Sequence, residues 1–417
     1  MPDSTAPLLL KGYAWLPDLR RRAHDVPAVP VRLLGKRGTA LHGKEAVDFF
    51  YDEKHVRRHD AMPGPVLDTL FGRGAVHTLD GEAHRARKAL FLDTLKDPAR
   101  VAALARKAQE EWDRAEADWR GRDRVVLFHE SARVLTRAVH DWAGVPLPAD
   151  EEEATARDLV AMVDGFATVG PRHVRARLAR KRQEGRLARL IGELRSAGLP
   201  PEPEHATIAR AVAAHVDADG RRLDPHTAAV ELLNVLRPTV AVSWFLTFSA
   251  HALHRWPEHR ALLAADERHA WGFAQEVRRF YPFAPFTGGL AATDTEWGGV
   301  TIPEGSLVLL DLYGHDHDPD LWPDPYSFDP ARFTREGVVI GRDDLVPQGG
   351  GDPAAGHRCP GEDITLALLA ALVPRLARLP HEVPDQDLSI PLSRVPTLPR
   401  SGYVMERVRA EAPAPVG

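Results

Sequence analysis

Apolar side chains recur every three or four residues through most of the chain, which is the period of a helix with one buried face. The longest such segment covers residues 227–256 and is followed by Pro257, which cannot continue a helix. The same period predicts helices at residues 44–51, 83–90, 101–119, 270–281 and 364–379. The pattern therefore predicts a mainly α protein with minor β structure.

The β structure is predicted from short apolar segments separated by turn residues. Residues 31–34 and 39–41 flank Gly35-Lys36-Arg37-Gly38, which predicts a hairpin with these four residues as its turn. Short strands are also expected near Thr301 and over residues 307–312. Prolines at positions 200, 201 and 203 predict a loop, but no Gly/Ser-rich linker divides the chain. We therefore expect residues 1–417 to form a single domain.

The composition of the chain limits the kinds of partner and the cellular compartment that we expect for the protein. The formal net charge of −5 gives no reason to expect a nucleic-acid partner. A single cysteine excludes an internal disulfide and agrees with a reducing compartment. The N-terminus lacks the basic segment of a signal peptide, and polar residues interrupt the longest apolar stretch, residues 240–253. The sequence predicts a soluble, cytoplasmic protein without a transmembrane segment.

The single cysteine, Cys359, lies in the glycine-rich segment 348–362, directly before the helix predicted at 364–379. Glycines let a backbone approach a large flat ligand. A helix N-terminus favours an anion, so we expect the thiol to ionise readily. A thiolate suits a nucleophile or a metal ligand, including the axial ligand of haem iron. The alternative is an inert buried cysteine.

Three ordered segments resemble the cytochrome P450 superfamily. They are Glu276-x-x-Arg279, the segment Phe328-Asp329-Pro330-Ala331-Arg332-Phe333, and the loop Gly356-His357-Arg358-Cys359-Pro360-Gly361. The resemblance implies the cytochrome P450 fold, a helical bundle around haem b (iron protoporphyrin IX) with small β-sheets. It also implies that Cys359 is the axial thiolate and the metal ligand. Glu276, Arg279 and Arg332 would then form a buried ion network behind the haem.

The resemblance further implies which side chains hold the haem propionates. His84 and Lys88 are four residues apart and share one face of a predicted helix. Arg58, which precedes them in the chain, and His357, two residues before the cysteine, are further candidates. Each of the four could instead be an ordinary surface charge.

Arg237 and Pro238 stand at the centre of the longest apolar helix, where neither residue is expected. A buried arginine is costly without a partner, and a proline removes a helix hydrogen bond and should kink the helix. No acid neighbours Arg237 on its helix face, because Glu231 lies off that face. A ligand carboxylate could therefore be the partner; the alternative is a salt bridge to an acid elsewhere in the protein.

Several features together resemble the fatty-acid peroxygenase branch of the superfamily. They are Arg237-Pro238, the inserted Gln348-Gly349-Gly350-Gly351-Asp352, Phe273-Ala274-Gln275-Glu276-Val277-Arg278-Arg279, and Leu312-Tyr313-Gly314-His315-Asp316-His317-Asp318. The resemblance implies that Arg237 binds the carboxylate of a long-chain fatty acid, which then serves as the acid–base group for hydrogen peroxide. No obligatory redox partner is expected. Oxidation should fall at Cα and Cβ, giving terminal alkenes by oxidative decarboxylation and 2- or 3-hydroxy acids.

Three further residues are assigned by resemblance to this branch. His77 is similar to the residue of members that decarboxylate, whereas glutamine tends to occupy this position in members that mainly hydroxylate. Its imidazole could relay a proton and change the fate of the substrate radical, or it could only pack. Phe71 and Phe283 match apolar pocket positions, or they could belong to the core.

Two other functions remain open at this point. A reductase-dependent monooxygenase of another substrate is disfavoured by Arg237-Pro238, which replaces the acid–alcohol pair usual in such enzymes. A non-catalytic haem-binding sensor or carrier is the second alternative. The basic segment 172–189 is either a solvated helix face or a helix that steers anionic ligands or contacts a membrane surface.

Overall fold

Helices account for most of the architecture, as the apolar period predicts. The computed structural model describes residues 2–198 and 207–409, so the prolines at 200, 201 and 203 lie outside the described residues. The α-helices are α1 (Thr5–Lys11), α2 (Trp15–Arg22), α3 (Lys44–Tyr51), α4 (Gly64–Val66), α5 (Gly81–Leu95), α6 (Pro98–Trp119), α7 (Leu127–Ala143), α8 (Glu152–Asp164), α9 (Pro171–Ser196), α10 (Ile208–Ala214), α11 (Pro225–Arg255), α12 (His259–Ala265), α13 (Glu267–Phe280), α14 (Leu312–His315) and α15 (Glu362–Arg378). A π-turn at Leu67–Phe71 and a 3-10 turn at Val76–Thr78 lead into α5.

The strands form one larger sheet and two small ones. They are β1 (Ala28–Leu33), β2 (Lys36–Leu41), β3 (Val56–Arg57), β4 (Arg124–Val126), β5 (Phe286–Ala291), β6 (Thr295–Trp297), β7 (Val300–Ile302), β8 (Leu307–Asp311) and β9 (Val404–Glu406). The larger sheet has the order β1-β2-β8-β5-β3, in which only β2 and β8 pair in parallel. The remaining pairs are β4 with β9 and β6 with β7. The strands predicted near Thr301 and over 307–312 are confirmed.

The predicted hairpin forms, but its predicted turn is wrong. Lys36 pairs with Leu33 and Gly38 with Val31, so residues 36–38 belong to β2. The turn is Leu34-Gly35, whose φ angles of 51° and 78° are both positive. Two-residue hairpin turns of this kind match the right-handed twist of the strands. Gly38 is part of strand β2 and not of the turn. The twist of the strands favours the shorter turn at Leu34-Gly35.

Helix α11 occupies the centre of the core. It packs against α7, α8, α9 and α15, and most of its side chains are buried. By length and composition it could cross a membrane, contrary to the sequence expectation, but 94% of its apolar window is buried inside the protein. Its apolar surface is therefore covered by other helices of the same chain.

Pro238 does not break α11, which runs continuously from its cap at Asp224 to Arg255. The Asp224 carboxylate accepts hydrogen bonds from the main-chain nitrogens of His226 and Thr227. Because Pro238 has no N–H, the main-chain carbonyl of Asn234 loses its helical donor. A kink at this point stays a prediction. The freed carbonyl lies one turn before Pro238, in the part of the helix that also carries Arg237.

Two polar side chains of α11 fasten the segment before α5 to the core. The buried Glu231 carboxylate accepts a hydrogen bond from the main-chain nitrogen of Val76 at 2.7 Å. The Asn234 amide donates to the main-chain oxygen of Phe71 at 2.9 Å. These contacts hold residues 71–77 beside the middle of α11, where the sequence places its candidate site.

Candidate active site

Cys359 is held in place by contacts with Gln348, a residue that the sequence analysis did not single out. The Cys359 main-chain nitrogen donates to the Gln348 carbonyl at 3.1 Å, and the Gln348 side-chain amide lies 3.8 Å from Sγ. The Gln348 Oε1 atom accepts from Nε of Arg278 at 3.0 Å. Because an arginine can only donate, Oε1 must face Arg278, and the amide nitrogen must face the sulfur. Arg278 itself is paired with Glu362.

Burial opposes the ready ionisation that the sequence predicts for the Cys359 thiol. Burial raises the pKa of the Cys359 thiol, and this effect exceeds the opposing hydrogen bond from the main chain of Gly361. The cysteine also lies ahead of the first turn of α15, which begins at Glu362. A thiolate here therefore needs a positive charge at the sulfur, which a ligated metal ion supplies.

The glycines of the cysteine loop make room for α3. A Cβ atom at Gly350 would lie 2.3 Å from Val47 Cγ1, and one at Gly349 would lie 2.6 Å from the Tyr51 hydroxyl. A Cβ at Gly351 would lie 2.8 Å from Tyr51 Cβ. We expected these glycines to press against a flat ligand; the structure places them against the side chains of α3.

Glu276, Arg279 and Arg332 form a buried ion network, as the resemblance implies, while its position behind a haem stays a prediction. Arg279 donates to both oxygens of Glu276 at 2.7 Å, and Arg332 approaches the same carboxylate at 3.3 Å. The excess positive charge is spread over main-chain carbonyls, since Arg279 also donates to Asp316 and Pro325 oxygens at 2.9 Å. All three charged side chains are buried. Removing one partner from such a group leaves an uncompensated charge and costs about 3–5 kcal/mol.

Three of the four propionate candidates lie together as buried donors with unused capacity. The rings of His84 and His357 stack with centroids 3.9 Å apart. Arg58 Nη1 and His84 Nδ1 have no hydrogen-bond partner in the described part of the chain, and His357 Nε2 lies 3.6 Å from Asp80 Oδ1. Burial lowers the pKa of His84 to about 3 and that of His357 to about 4, so both rings are neutral. A buried arginine beside two neutral imidazoles fits a ligand that brings its own carboxylates.

The fourth candidate, Lys88, is tied to the cysteine loop. Its ammonium donates to the main-chain oxygens of Gly356 at 3.0 Å and Arg358 at 2.7 Å. Burial lowers the pKa of Lys88 to about 8. Lys88 therefore links α5 to the residues on either side of His357, and its contact with a propionate stays a prediction.

Arg237 is buried and has no carboxylate partner among residues 2–198 and 207–409. Only 6% of the residue is exposed, its Nη2 atom lies 3.3 Å from Asn234 Oδ1, and its Nε atom has no partner. Burial, reinforced by the positive charge of Arg180, lowers the pKa of Arg237 to about 9. Glu231, the acid nearest in sequence, is engaged by Arg87 at 2.7 Å. The structure thus does not show the internal salt bridge that was the alternative.

Phe71 and His77 lie beside Arg237. The Arg237 guanidinium carbon is 5.8 Å from the centroid of the Phe71 ring, and the His77 ring is 4.4 Å from the same ring. The His77 Nδ1 atom has no partner in the described residues. Burial, followed by the charge of Arg237, holds the pKa of His77 well below its usual range. The three residues therefore form one cluster with a neutral imidazole.

Phe283 packs further along α11. Its ring lies 4.9 Å from the ring of Phe245 and 6.3 Å from that of Trp244. Its main-chain oxygen accepts a hydrogen bond from the hydroxyl of Tyr13 at 2.6 Å. Its part in a substrate pocket stays a prediction, because these contacts also suit a core residue.

The sequence analysis assigned no role to Asn234, and it named Gln348 only as part of the inserted motif 348–352. Asn234 orients Arg237 and holds the main chain at Phe71. A signal existed for Asn234, since it is a polar residue one helical turn before Arg237 in an otherwise apolar segment. No comparable signal marked Gln348, because its partner Arg278 lies 70 residues away.

Comparisons with known proteins agree with this geometry. A family model described as cytochrome P450 matches residues 273–396. The solved structure of cytochrome P450SP alpha (CYP152B1), as a single-residue variant, is 43% identical and has a TM-score of 0.94, covering 99% of this chain and 100% of that one. Cytochrome P450EX alpha (CYP152N1) with myristic acid is 36% identical, with a TM-score of 0.91 and coverage of 98% and 97%. A variant of cytochrome P450 OleT in complex with arachidonic acid is 35% identical, with a TM-score of 0.92 and coverage of 98% and 96%.

The curated relatives align over shorter stretches. The chain spans 22%, 42% and 26% of the length of three such proteins. The near-complete match to the solved structures, at more than a third identity, is therefore the finding that decides the family. The chain belongs to the cytochrome P450 superfamily, in its CYP152 branch of fatty-acid peroxygenases.

Proposed function

We propose that this protein is a haem-thiolate peroxygenase that uses hydrogen peroxide to oxidise long-chain fatty acids at Cα and Cβ. The products would be terminal alkenes, formed by oxidative decarboxylation, and 2- or 3-hydroxy acids. The observation that carries the proposal is Arg237, a buried guanidinium that has no carboxylate partner among the described residues and keeps an unused Nε donor. Two relatives were solved with myristic acid and with arachidonic acid, so carboxylate ligands suit this branch.

The cofactor of this family is haem b with an axial cysteine thiolate. In this chain Cys359 would be that ligand, with Arg58, His84, His357 and Lys88 facing the propionates. The buried nitrogens Arg58 Nη1 and His84 Nδ1, which have no partner among the described residues, support the assignment. When bound, the haem supplies the oxidising chemistry, and thiolate ligation favours cleavage of the peroxide O–O bond.

Arg237 would bind the fatty-acid carboxylate and thereby place a carboxylate acid–base group at the site. Its Nε and Nη atoms can donate two parallel hydrogen bonds to a carboxylate, while Asn234 holds the guanidinium from one side. The bound carboxylate can take a proton from one oxygen of hydrogen peroxide and return it to the other, so that the departing oxygen leaves as water. Anchoring the head group also limits which carbons reach the reaction centre to Cα and Cβ.

His77 would influence the choice between decarboxylation and hydroxylation. We expect His77→Gln to shift the products from terminal alkene towards hydroxy acid, because glutamine cannot relay a proton as an imidazole does. The ratio of the two products from one fatty acid, measured by gas chromatography–mass spectrometry, tests this. His77→Phe serves as the control, since it keeps a ring against Phe71 but removes both nitrogens. An unchanged product ratio in both variants would reduce His77 to a packing residue.

The proposed activity can be tested without any redox partner. The haem-loaded protein would be mixed with a long-chain fatty acid and hydrogen peroxide, and the products analysed by gas chromatography–mass spectrometry. We expect terminal alkene and 2- or 3-hydroxy acid. Absence of both, with a thiolate-haem spectrum present and turnover restored by a reductase system, would favour the monooxygenase alternative. Absence of turnover under either condition would favour a haem-binding protein.

We further propose that residues 1–417 form a single haem-thiolate domain that works in the cytoplasm, without nucleic acid and without an obligatory redox partner. The lone cysteine supports a reducing compartment. The burial of the long apolar helix α11 supports a protein that does not insert in a membrane.

A further inference from the structure

A second cationic site lies in a groove outside the cluster of Arg237, Phe71 and His77. The segment Leu67–Phe71 with Gly72 and Arg73, helix α9 and the start of α11 enclose a groove of about 390 Å³. Four cationic side chains and two carboxylates line it: Arg73, Arg177, Arg180, Lys181, Asp68 and Glu184. The groove therefore carries an excess of positive charge and favours an anionic ligand.

Arg180 is the buried member of this groove. Only 2% of the residue is exposed, although it sits on the basic helix α9. Its Nε atom donates to Glu184 and its Nη1 atom to the Leu70 main-chain oxygen, both at 2.6 Å. Its Nη2 atom has no partner in the described residues. Burial lowers the pKa of Arg180 despite the Glu184 carboxylate, so the existing contacts compensate the cation incompletely.

The main chain at Gly72 lies directly against the Arg180 guanidinium. A Cβ atom at this position would lie 2.2 Å from Arg180 Nη2, and the φ angle of 87° also disfavours any residue other than glycine. The absence of a side chain at Gly72 therefore leaves room for the guanidinium, whose buried Nη2 atom lies against this glycine. An arginine that is enclosed in this way and keeps an unused donor is a built site rather than a solvated surface charge.

Residues 70 and 71 lie between Arg180, which lines the groove, and Arg237. Arg180 binds the carbonyl of Leu70, Asn234 binds the carbonyl of Phe71, and the ring of Phe71 lies 5.8 Å from the Arg237 guanidinium. The charge of Arg180 also lowers the pKa of Arg237, so the two cations act on each other. Only a short stretch of chain thus separates two incompletely paired guanidinium groups.

Helix α9 adds an apolar face to the groove. Val174 and Leu178 are four residues apart, so they share a helix face, and they are 54% and 52% exposed. Arg177 lies three residues after Val174, and Lys181 lies three residues after Leu178. Apolar contacts beside cations fit an amphiphilic anion better than a small inorganic one.

We propose that this groove is a second fatty-acid site, in which Arg180 receives the carboxylate before it passes to Arg237 and in which Val174 and Leu178 contact the acyl chain. This inference rests on the proposed function, because it takes a fatty acid as the ligand. Under this proposal the basic segment 172–189 steers an anionic ligand. Steering acts on the association rate more than on the chemical step.

Occupancy of the groove can be measured directly. In the haem-loaded Val174→Cys variant a fluorescent label would be attached at the new thiol, since Cys359 is the only native cysteine and is ligated. We expect saturable quenching by a brominated myristic acid and much weaker quenching by its methyl ester, which lacks the carboxylate. A label at Val339→Cys, which is 88% exposed and outside the groove, is the control. Equal quenching by acid and ester, or at both label positions, would overturn the proposal.

The kinetic consequence is tested with charge-matched variants. The double variant Arg177→Gln/Lys181→Gln removes two cations from the groove, and Arg175→Gln/Arg189→Gln removes two from the same helix outside it. Myristic acid would be mixed rapidly with each haem-loaded protein while the haem absorbance is followed. We expect the association rate to fall about 10-fold in the groove variant, the low end of what electrostatic steering supplies, with a smaller salt dependence and little change in the control.

Equal slowing of both double variants would show a general charge effect and would overturn the local site. The proposed function fails differently: no variant, nor the natural protein, would then show a change of haem absorbance with fatty acid or form product from it. The labelled protein still decides whether the groove holds a carboxylate in that case, because its readout does not depend on turnover.

Discussion

Replacing Arg237 by leucine should abolish peroxide-driven oxidation of fatty acids while haem incorporation and the thiolate spectrum remain. The variant loses the group that anchors the substrate carboxylate, and with it the acid–base function that the carboxylate supplies. General acid–base catalysis contributes roughly 10²–10⁴-fold, and loss of the anchor adds to this because the carboxylate is no longer positioned. Product formation from one fatty acid at saturating hydrogen peroxide is the measurement.

The same substitution should make the substrate-free protein more stable. Arg237 is buried, keeps an unpaired Nε and contacts no carboxylate in the described residues, so its charge is held at a cost. An apolar side chain of smaller size at this position should raise the free energy of unfolding by about 1 kcal/mol, in the range common for stabilising substitutions at functional sites. Thermal unfolding of the two haem-loaded proteins checks this.

Arg237→Lys is the matched control for this prediction. It keeps a positive charge but lacks the planar fork, so we expect partial activity with weaker fatty-acid binding. Full activity of Arg237→Leu would refute the idea that the substrate carboxylate takes part in catalysis. If Arg237→Leu is inactive and has a lower free energy of unfolding than the natural protein, then Arg237 stabilises the fold and is not kept for binding a ligand.

The second large effect is expected at Cys359. The Cys359→Ser variant should lose both peroxide-driven turnover and the carbonyl spectrum that is typical of thiolate-ligated haem, because a hydroxyl is a much weaker anionic donor than a thiol. The loop itself should persist, since its bond to the Gln348 carbonyl comes from the main chain. The absorbance of the reduced protein with carbon monoxide is the measurement.

Gln348→Leu distinguishes the effect of removing the sulfur from the effect of removing the groups around it. This variant keeps the sulfur but removes the amide that faces it and the acceptor of Arg278. We expect it to retain the thiolate-type carbonyl spectrum with a shifted maximum, since hydrogen bonds to sulfur alter its electron donation. A thiolate-type spectrum that survives Cys359→Ser would contradict the ligand assignment.

Much of the site could be predicted because it rests on local properties of the sequence. The helical period located α3, α6, α11, α13 and α15 to within a few residues. Arg237 and Pro238 stood out because both violate the rules for a buried helix, and such a violation is visible without knowing what surrounds it. Helix ends were less accurate, since caps such as Asp224 and Asp266 act through side-chain contacts one turn beyond the apolar period.

The sequence by itself thus determined the mainly helical architecture, the family, the candidate cysteine ligand and the unusual arginine. The apolar period, the order of the motifs and a residue that does not suit its helix can all be read from the sequence alone. Only the tertiary structure decided that burial raises the pKa of Cys359, that Gln348 faces its sulfur, and that Arg237 has no internal partner in the described residues. It also decided that Arg180, 110 residues from Leu70, reaches that carbonyl beside Arg237. Burial and contacts between distant segments arise from packing, and no local pattern of residues specifies them.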